Sequence, residues 1–395
     1  MRSILSLDVP LLLRVFSFLA TVDKQRVAAT CRYLSKLVAE PSLWTRANLR
    51  SLARASRAQL AQLLTTRRYS LLRALDLSDC AAVPVAELLA WCRHNPRLAS
   101  LSLANTSLEA AAAFPLASSL AHVARLGLAN TRLTPEQLSA VLGRCCRGRH
   151  TRHVDLSFND LTYVAADLLA ASVTSLHSLN LSYTNLSPEQ ARRLLDSVTG
   201  SNISELDLSG NQLTDCKLDN IALNQNLARL TLAEVSLAPA SLDAVFTNLS
   251  LVHRLQELVL AGTALGHADP ILLSDCVVRV ARVDLNFCWL YQDHIEFILD
   301  GVTHESKLRS LNLSGNHFED VSVELLLTAL PVLHELRLEW ANLTEEQCRA
   351  LVQETGDLSQ HNVIVLNHFE MIDNYPDLHR QSKLNPNIKL SMVKG

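Results

Sequence analysis

Residues 203–213 read ISELDLSGNQL. Leu206 and Leu208 alternate with polar residues at the period of a strand. Asn211 then falls where the chain must turn. The stretch fits the template L-x-x-L-x-L-x-x-N/C-x-L, and copies of it recur along the chain, among them LRSLNLSGNHF from Leu308 and LHSLNLSYTNL from Leu176. Self-similarity at a fixed period outranks every local signal in a sequence. The copies begin at Leu72, Leu98, Val123, Thr151, Leu176, Ile203, Leu227, Leu255, Val280, Leu308 and Leu333. Their steps of about 24–28 residues leave room for a helix in every repeat.

Each repeat reads as strand, turn, helix. The ninth template position holds Asn159, Asn211 and Asn316, with Thr106, Thr131, Thr184 and Thr263 or Cys80 and Cys288 as substitutes. Helix starts are marked by hydroxyl–glutamine pairs three residues apart: Thr134 with Gln137, Ser187 with Gln190, and Thr344 with Gln347. Pro135 and Pro188 sit in the first turn, where a missing N–H costs nothing. Strands stack at about 4.8 Å and helices at roughly 8–10 Å. The stack is therefore expected to bend into a horseshoe of about eleven repeats, an α/β leucine-rich-repeat solenoid with one continuous core. NVIVLN at 362–367 reads as a last strand.

The bulk properties agree. At 395 residues the chain exceeds one ordinary core. A hydrophobic share of 48% against 19% charged excludes a disordered protein. The net charge of −3 conceals a basic head, since residues 1–70 hold 12 Lys/Arg and 3 Asp/Glu. The rest is acidic, so nucleic acid is not an expected partner. No run of 18 apolar residues marks a membrane span. Asp8, Pro10 and Arg14 interrupt the apolar N-terminal segment, which argues against a signal peptide. The nine cysteines are scattered and odd in number, and Cys145 and Cys146 are adjacent. Reduced thiols in the cytoplasm or nucleus are expected. No HExxH, Cys/His ligand spacing, phosphate-binding glycine loop or catalytic constellation is present. Neither an enzyme nor a metal or cofactor is expected.

Ahead of the repeats, residues 7–19 read LDVPLLLRVFSFL and residues 23–44 read DKQRVAATCRYLSKLVAEPSLW. Asp8 can cap a helix with Pro10 in its first turn. Leu12, Leu13, Phe16 and Leu19 follow at helical spacing. A second helix follows Asp23, with Val27, Cys31 and Leu34 on one stripe. A third piece carries Leu37 and stops near Pro41. Three such short helices hold more apolar residues than they can bury alone.

These residues resemble an F-box. Leu7, Leu12, Val15, Phe16, Phe18, Leu19, Asp23, Cys31, Arg32, Leu37, Pro41, Ser42, Leu43 and Trp44 fill positions of the family pattern. Glu40 stands where the family usually has Asp, Asp8 replaces its proline, and Leu34 replaces a frequent Trp. The resemblance implies the substrate-recognition subunit of an SCF-type ubiquitin ligase. Its head would bind the ligase's small adaptor (the S-phase-kinase-associated family), and through it a cullin. The adaptor-binding residues it implies are Leu7, Pro10, Leu12, Leu13, Phe16, Leu19, Cys31, Leu34, Leu37, Pro41 and Trp44. Trp44 and Leu49 would join the head to the array. The alternative is a non-catalytic leucine-rich-repeat scaffold or regulator, of the inhibitor or GTPase-regulator type, with no cullin link.

The expected organisation is an F-box-like domain over residues 1–50, a linker or cap over 51–70, the array over 71–366 and a polar tail over 367–395. The tail is read as breaking the repeat. For a protein substrate, two template positions offer contacts. The fifth holds Asp76, Asp155, Asn180, Asp207, Asp284 and Asn312, with Arg337 near the end. The eighth holds Phe158, Tyr183, Phe287 and Trp340, with Trp289 and Tyr291 nearby, in a chain only 5% aromatic. Buried aromatics and arginines carry most interface energy. Asp155, Phe158, Tyr183, Asp284, Phe287, Trp289, Arg337 and Trp340 are therefore the candidate substrate contacts.

Overall fold

The computed structural model describes residues 4, 7–52, 54–108, 111–147, 150–214, 216, 218–354, 363–367, 376–382, 385 and 387–391. Asn362, residues 368–375 and 392–395 of the tail, and the side chains of Cys145 and Cys146 lie outside this description. The fold is the leucine-rich-repeat solenoid that the template implies, with parallel strands in chain order. It divides into two compact units, residues 1–168 with 178–180, and residues 169–177 with 181–395.

In the first unit six strands pair in sequence: Arg46–Asn48, Ala74–Asp76, Ser100–Ser102, Arg125–Gly127, His153–Asp155 and Ser178–Asn180. Leu75 registers with Leu101, Leu101 with Leu126, and Leu126 with Val154. Each strand is three residues long, with its middle side chain inward and the flanking pair outward. The second unit repeats this with strands Glu205–Asp207, Arg229–Thr231, Glu257–Val259, Arg282–Asp284, Ser310–Asn312 and Glu335–Arg337. Val363–Asn367 and Ile388–Ser391 follow. Strands thus begin before residue 71 in the first unit and run to Ser391 in the second, past the boundaries the template sets. The missed strands read RAN and IKLS, and neither carries the leucine template.

The ninth position explains the turn. Asn159 donates its amide to Leu128 O (2.7 Å) and Leu156 O (2.9 Å), and accepts from the Thr131 N–H (3.2 Å). Asn316 makes the same bonds to Leu285 O and Leu313 O, and accepts from Cys288 N and Leu290 N. Thr131 and Thr184 return their hydroxyls to Leu128 O and Leu181 O, and the Cys288 thiol points at Leu260 O (3.1 Å). Buried backbone groups need partners, and Asn, Thr and Cys supply a donor for them here, whereas Val235 and Ala341 fill the position in two copies as buried apolar residues. The three capping boxes all form. A fourth, Ser56 with Gln59, starts the helix Arg57–Thr65. The amides of Gln137 and Gln347 also donate to carbonyls of the preceding repeat, at Leu108 and Phe318.

Burial pushes the thiols of Cys92, Cys276 and Cys288 up to about 12, because a thiolate there would be desolvated. Cys31 is exposed. Iodoacetamide at pH 8 is therefore expected to label Cys31 in the native protein and to reach Cys92, Cys276 and Cys288 only in denaturant. Peptide mapping by mass spectrometry reads the difference, and native labelling of Cys276 would contradict it.

Candidate protein-interaction surfaces

The head is three helices, α1 (Val9–Ser17), α2 (Thr21–Thr30) and α3 (Arg32–Val38), closed by the single turn Pro41–Leu43. Asp8 takes the cap position of α1 with Pro10 in the first turn, although its carboxylate makes no capping bond. Cys31 does not extend a stripe along α2. Its backbone is extended, and it separates α2 from α3. Leu19 lies beyond the end of α1.

Of the adaptor-binding residues that the resemblance implies, Leu12 and Phe16 face into the head. Leu12 is 0% and Phe16 2% exposed within the chain itself. Leu34, Val38, Leu43 and Trp44 are buried with them. Leu13, Leu19, Leu37 and Pro41 are half-buried, while Leu7, Pro10 and Cys31 are exposed. The outward apolar face is formed instead by Leu7, Val9, Leu11, Val15 and Phe18, with Phe18 82% exposed. Both faces of LDVPLLLRVFSFL are apolar, so spacing identifies a helix without saying which side turns inward.

EPSLW at 40–44 makes the junction. Pro41 opens a 3-10 turn, and Trp44 follows it, fully buried. The indole N–H donates to Val38 O (2.6 Å), and the ring meets Tyr69 edge-on at 5.6 Å. Lys24 and Arg68 approach the Trp44 ring at 5.7 and 5.2 Å, geometry suited to cation–π attraction. Lys24 is buried and donates to Leu43 O (2.8 Å), and burial lowers its pKa. Leu49 continues the seam, donating its N–H to Asp76 O (2.8 Å).

The fifth-position carboxylates serve their own turns. Asp155 accepts from the Ser157 N–H (3.0 Å) and hydroxyl (2.7 Å), and Asp284 accepts from the Asn286 N–H (3.0 Å). The third position, which the template reading passed over, carries the charge. In the second unit Glu205, Arg229, Glu257 and Arg282 form a continuous ion-pair ladder at 3.0–3.3 Å. Arg337 is tied to Glu339 (3.2 Å) and lies 3.8 Å from Glu335. Exposed pairs like these are worth about 0–1 kcal/mol each, so their effect is mainly to neutralise the face.

The eighth position is left-handed throughout. Asp79, Asn105, Asn130, Phe158, Tyr183, Glu234, Phe287 and Trp340 all have φ between 50° and 65°, and Gly210, Gly262 and Gly315 have φ of 67–70°. In the first unit a polar chain fills its first three copies, and Phe158 the fourth. Arg50 bonds Asp79 (2.9 Å), Asn105 bonds Asp79 (2.7 Å), and Asn130 bonds Asn105 (3.0 Å). Hydrogen bonds from Asn105 and Arg50 hold the Asp79 carboxyl below its ordinary range. In the second unit, large residues alternate with glycine: Tyr183, Gly210, Glu234, Gly262, Phe287, Gly315, Trp340. A Cβ on Gly210 would lie 2.3 Å from the Tyr183 ring, and one on Gly315 2.3 Å from the Phe287 ring. Each ring therefore lies down on the next repeat's glycine. The Glu234 side chain lies against Gly262 in the same way and takes a hydrogen bond from the Tyr183 hydroxyl, which raises that hydroxyl's pKa. Phe158 belongs to the first unit. The glycines were visible in the sequence at the same template position, but only the structure shows what leans on them.

Tyr183, Phe287, Trp289, Tyr291 and Trp340 are exposed. Tyr291 stacks on His317 at 5.8 Å and 8°. Among the described residues no cluster of His, Cys, Asp and Glu has metal-site geometry, and no helix is long and apolar enough to cross a membrane.

Comparison with known proteins agrees with these observations. A family model described as F-box-like matches residues 7–50, and one described as leucine-rich repeat matches 201–215 and 304–327. The chain thus joins an F-box-like domain to leucine-rich repeats. Mouse NACHT, LRR and PYD domains-containing protein 4B is 33% identical over 117 residues, a match covering 27% of this chain and 13% of that protein. The structure of the yeast Rad7 and Elc1 complex aligns over 91% of this chain and 86% of its own, at 18% identity and a TM-score of 0.54. That likeness concerns the fold. A leucine-rich-repeat protein of Leptospira interrogans aligns over 76% and 74%, at 16% identity and a TM-score of 0.48.

Proposed function

We propose that this protein is a non-catalytic receptor that brings a protein substrate to an SCF-type ubiquitin ligase. The head binds the small adaptor and through it a cullin, and the repeats bind the substrate. The observation that carries the reading is the exposed apolar face of an F-box-like head. Phe18, Leu11, Val15 and Leu7 crowd one small helical surface, and a contiguous apolar patch of this kind marks a protein contact. The adaptor's own apolar surface is the occupant that the F-box resemblance implies.

The test is co-purification with the adaptor and cullin. Phe18→Glu places a charge on the outward face and is expected to weaken adaptor binding at least tenfold, with the melting temperature unchanged. Phe16→Ala acts on the core of the head and is expected to lower stability first. A wild-type chain that ignores the adaptor ends the ligase reading. A chain that binds adaptor but never cullin supports a scaffold that borrows the F-box alone.

A further inference from the structure

The alternation at the eighth position of the second unit sets a spacing. Strands repeat at about 4.8 Å, so Trp340, Phe287 and Glu234 recur every two repeats, roughly 9.6 Å apart, and Tyr183 stands two repeats beyond Glu234. A polyproline II segment has three residues per turn and rises about 9.3 Å per turn. It returns a side chain to the same face at nearly this interval. A β-strand presents one face every second residue, at about 6.8 Å, and its third residue points away. Two turns of α-helix span about 10.8 Å, and their seven residues drift round the axis. Only the polyproline form matches both the distance and the face.

The chemistry of the stripe agrees with that pitch. The Tyr183 and Phe287 rings lie on glycine backbone with one side to solvent, Trp340 is exposed in the same series, and flat aromatic surfaces are what proline-rich segments dock against. Glu234 is the charged member of the series and is exposed. We propose that Trp340, Phe287, Glu234 and Tyr183 bind a proline-rich segment of a partner protein in polyproline II form, with a basic residue opposite Glu234. The motif runs Pro-x-x-Pro-x-x-Arg/Lys-x-x-Pro, in one chain direction or the other. This deepens the reading of the repeats as the substrate-binding part, and it does not depend on the adaptor.

The experiment therefore uses the full chain without adaptor. Fluorescein-labelled Pro-Ala-Ala-Pro-Ala-Ala-Arg-Ala-Ala-Pro and its reversed sequence are titrated by anisotropy, beside a peptide of the same composition with its prolines adjacent. One of the first two is expected to bind at least tenfold more tightly than the permuted control. Phe287→Asn and Trp340→Asn keep a residue that tolerates positive φ, as Asn105 and Asn130 do at this position. Each is expected to cost about tenfold in affinity with the circular dichroism unchanged. Glu234→Gln is expected to erase the advantage of arginine over alanine in the peptide. Equal binding of the permuted control, or binding indifferent to both asparagine variants, overturns the proposal. Either result leaves the adaptor test of the head unaffected.

Discussion

Trp44→Ala is expected to destabilise the first unit by about 3–5 kcal/mol, the usual cost of emptying a buried aromatic site. Three things are lost together. The ring gives up its edge-on packing with Tyr69, Val38 O loses the indole N–H, and Lys24 and Arg68 lose the ring they approach. Lys24 is the sharpest of these, because it is buried and its retained partner is Leu43 O. Removing the tryptophan either admits water to that ammonium or leaves it facing a void. Trp44→Phe keeps most of the packing and strands the Val38 carbonyl, so it is expected to cost about 1–3 kcal/mol. Urea unfolding followed by circular dichroism measures both variants. A Trp44→Ala protein with an unchanged midpoint would show that EPSLW is not the structural joint between head and repeats. Because Trp44 lies inside, its loss should remove adaptor binding along with stability. Phe18→Glu should remove binding alone.

That contrast marks what the sequence could and could not convey. Residues with one physical task were legible. The alternating leucines fix the strands, the ninth-position donors fix the turns, and hydroxyl–glutamine pairs fix the helix starts, because each requirement is local. The head was legible as three helices and as an F-box resemblance. Its inside and outside were not, since α1 is apolar on both faces and the choice depends on how α3 and the Pro41–Leu43 turn close over it. The ladder from Glu205 to Arg282 escaped for a related reason. Its members lie 24 to 28 residues apart, and only the strand register makes them neighbours. The aromatic stripe was seen in part. Tyr183, Phe287 and Trp340 stood out by type, but the glycines between them acquire meaning only once a ring is found lying on each of two. Asp155 and Asp284 looked like offered acids, while an Asp-Leu-Ser turn already uses such a carboxylate at Asp155.

The same locality makes Asn211 the most exacting test of the array. Its amide donates to Leu181 O (2.7 Å) and Leu208 O (3.0 Å), and its carbonyl accepts from Thr184 N (3.3 Å) and Leu186 N (3.0 Å). The side chain is buried, so Asn211→Ala strands the Thr184 and Leu186 N–H groups and the Leu208 carbonyl, in two successive repeats, while Leu181 O keeps the Thr184 hydroxyl (2.6 Å). At about 1–3 kcal/mol for each of these three groups, a loss of at least about 3 kcal/mol is expected. The coupling between repeats should fall with it, since neighbour contacts hold such arrays together. Asn211→Thr distinguishes this account from simple loss of volume. Thr263 occupies the equivalent position and donates to Leu232 O (2.8 Å) in the preceding repeat, while Thr131 and Thr184 donate to a carbonyl of their own, so threonine should return a donor to Leu181 O or Leu208 O and recover about 1–2 kcal/mol. It offers no amide oxygen, so the Leu186 N–H should stay unpaired. Hydrogen exchange reads this directly. In both variants the Leu186 amide is expected to lose protection, whereas stability returns in part only with threonine. Equal stability of the two variants, or an unchanged Leu186 amide, would mean that the asparagine ladder does not set the interaction between repeats.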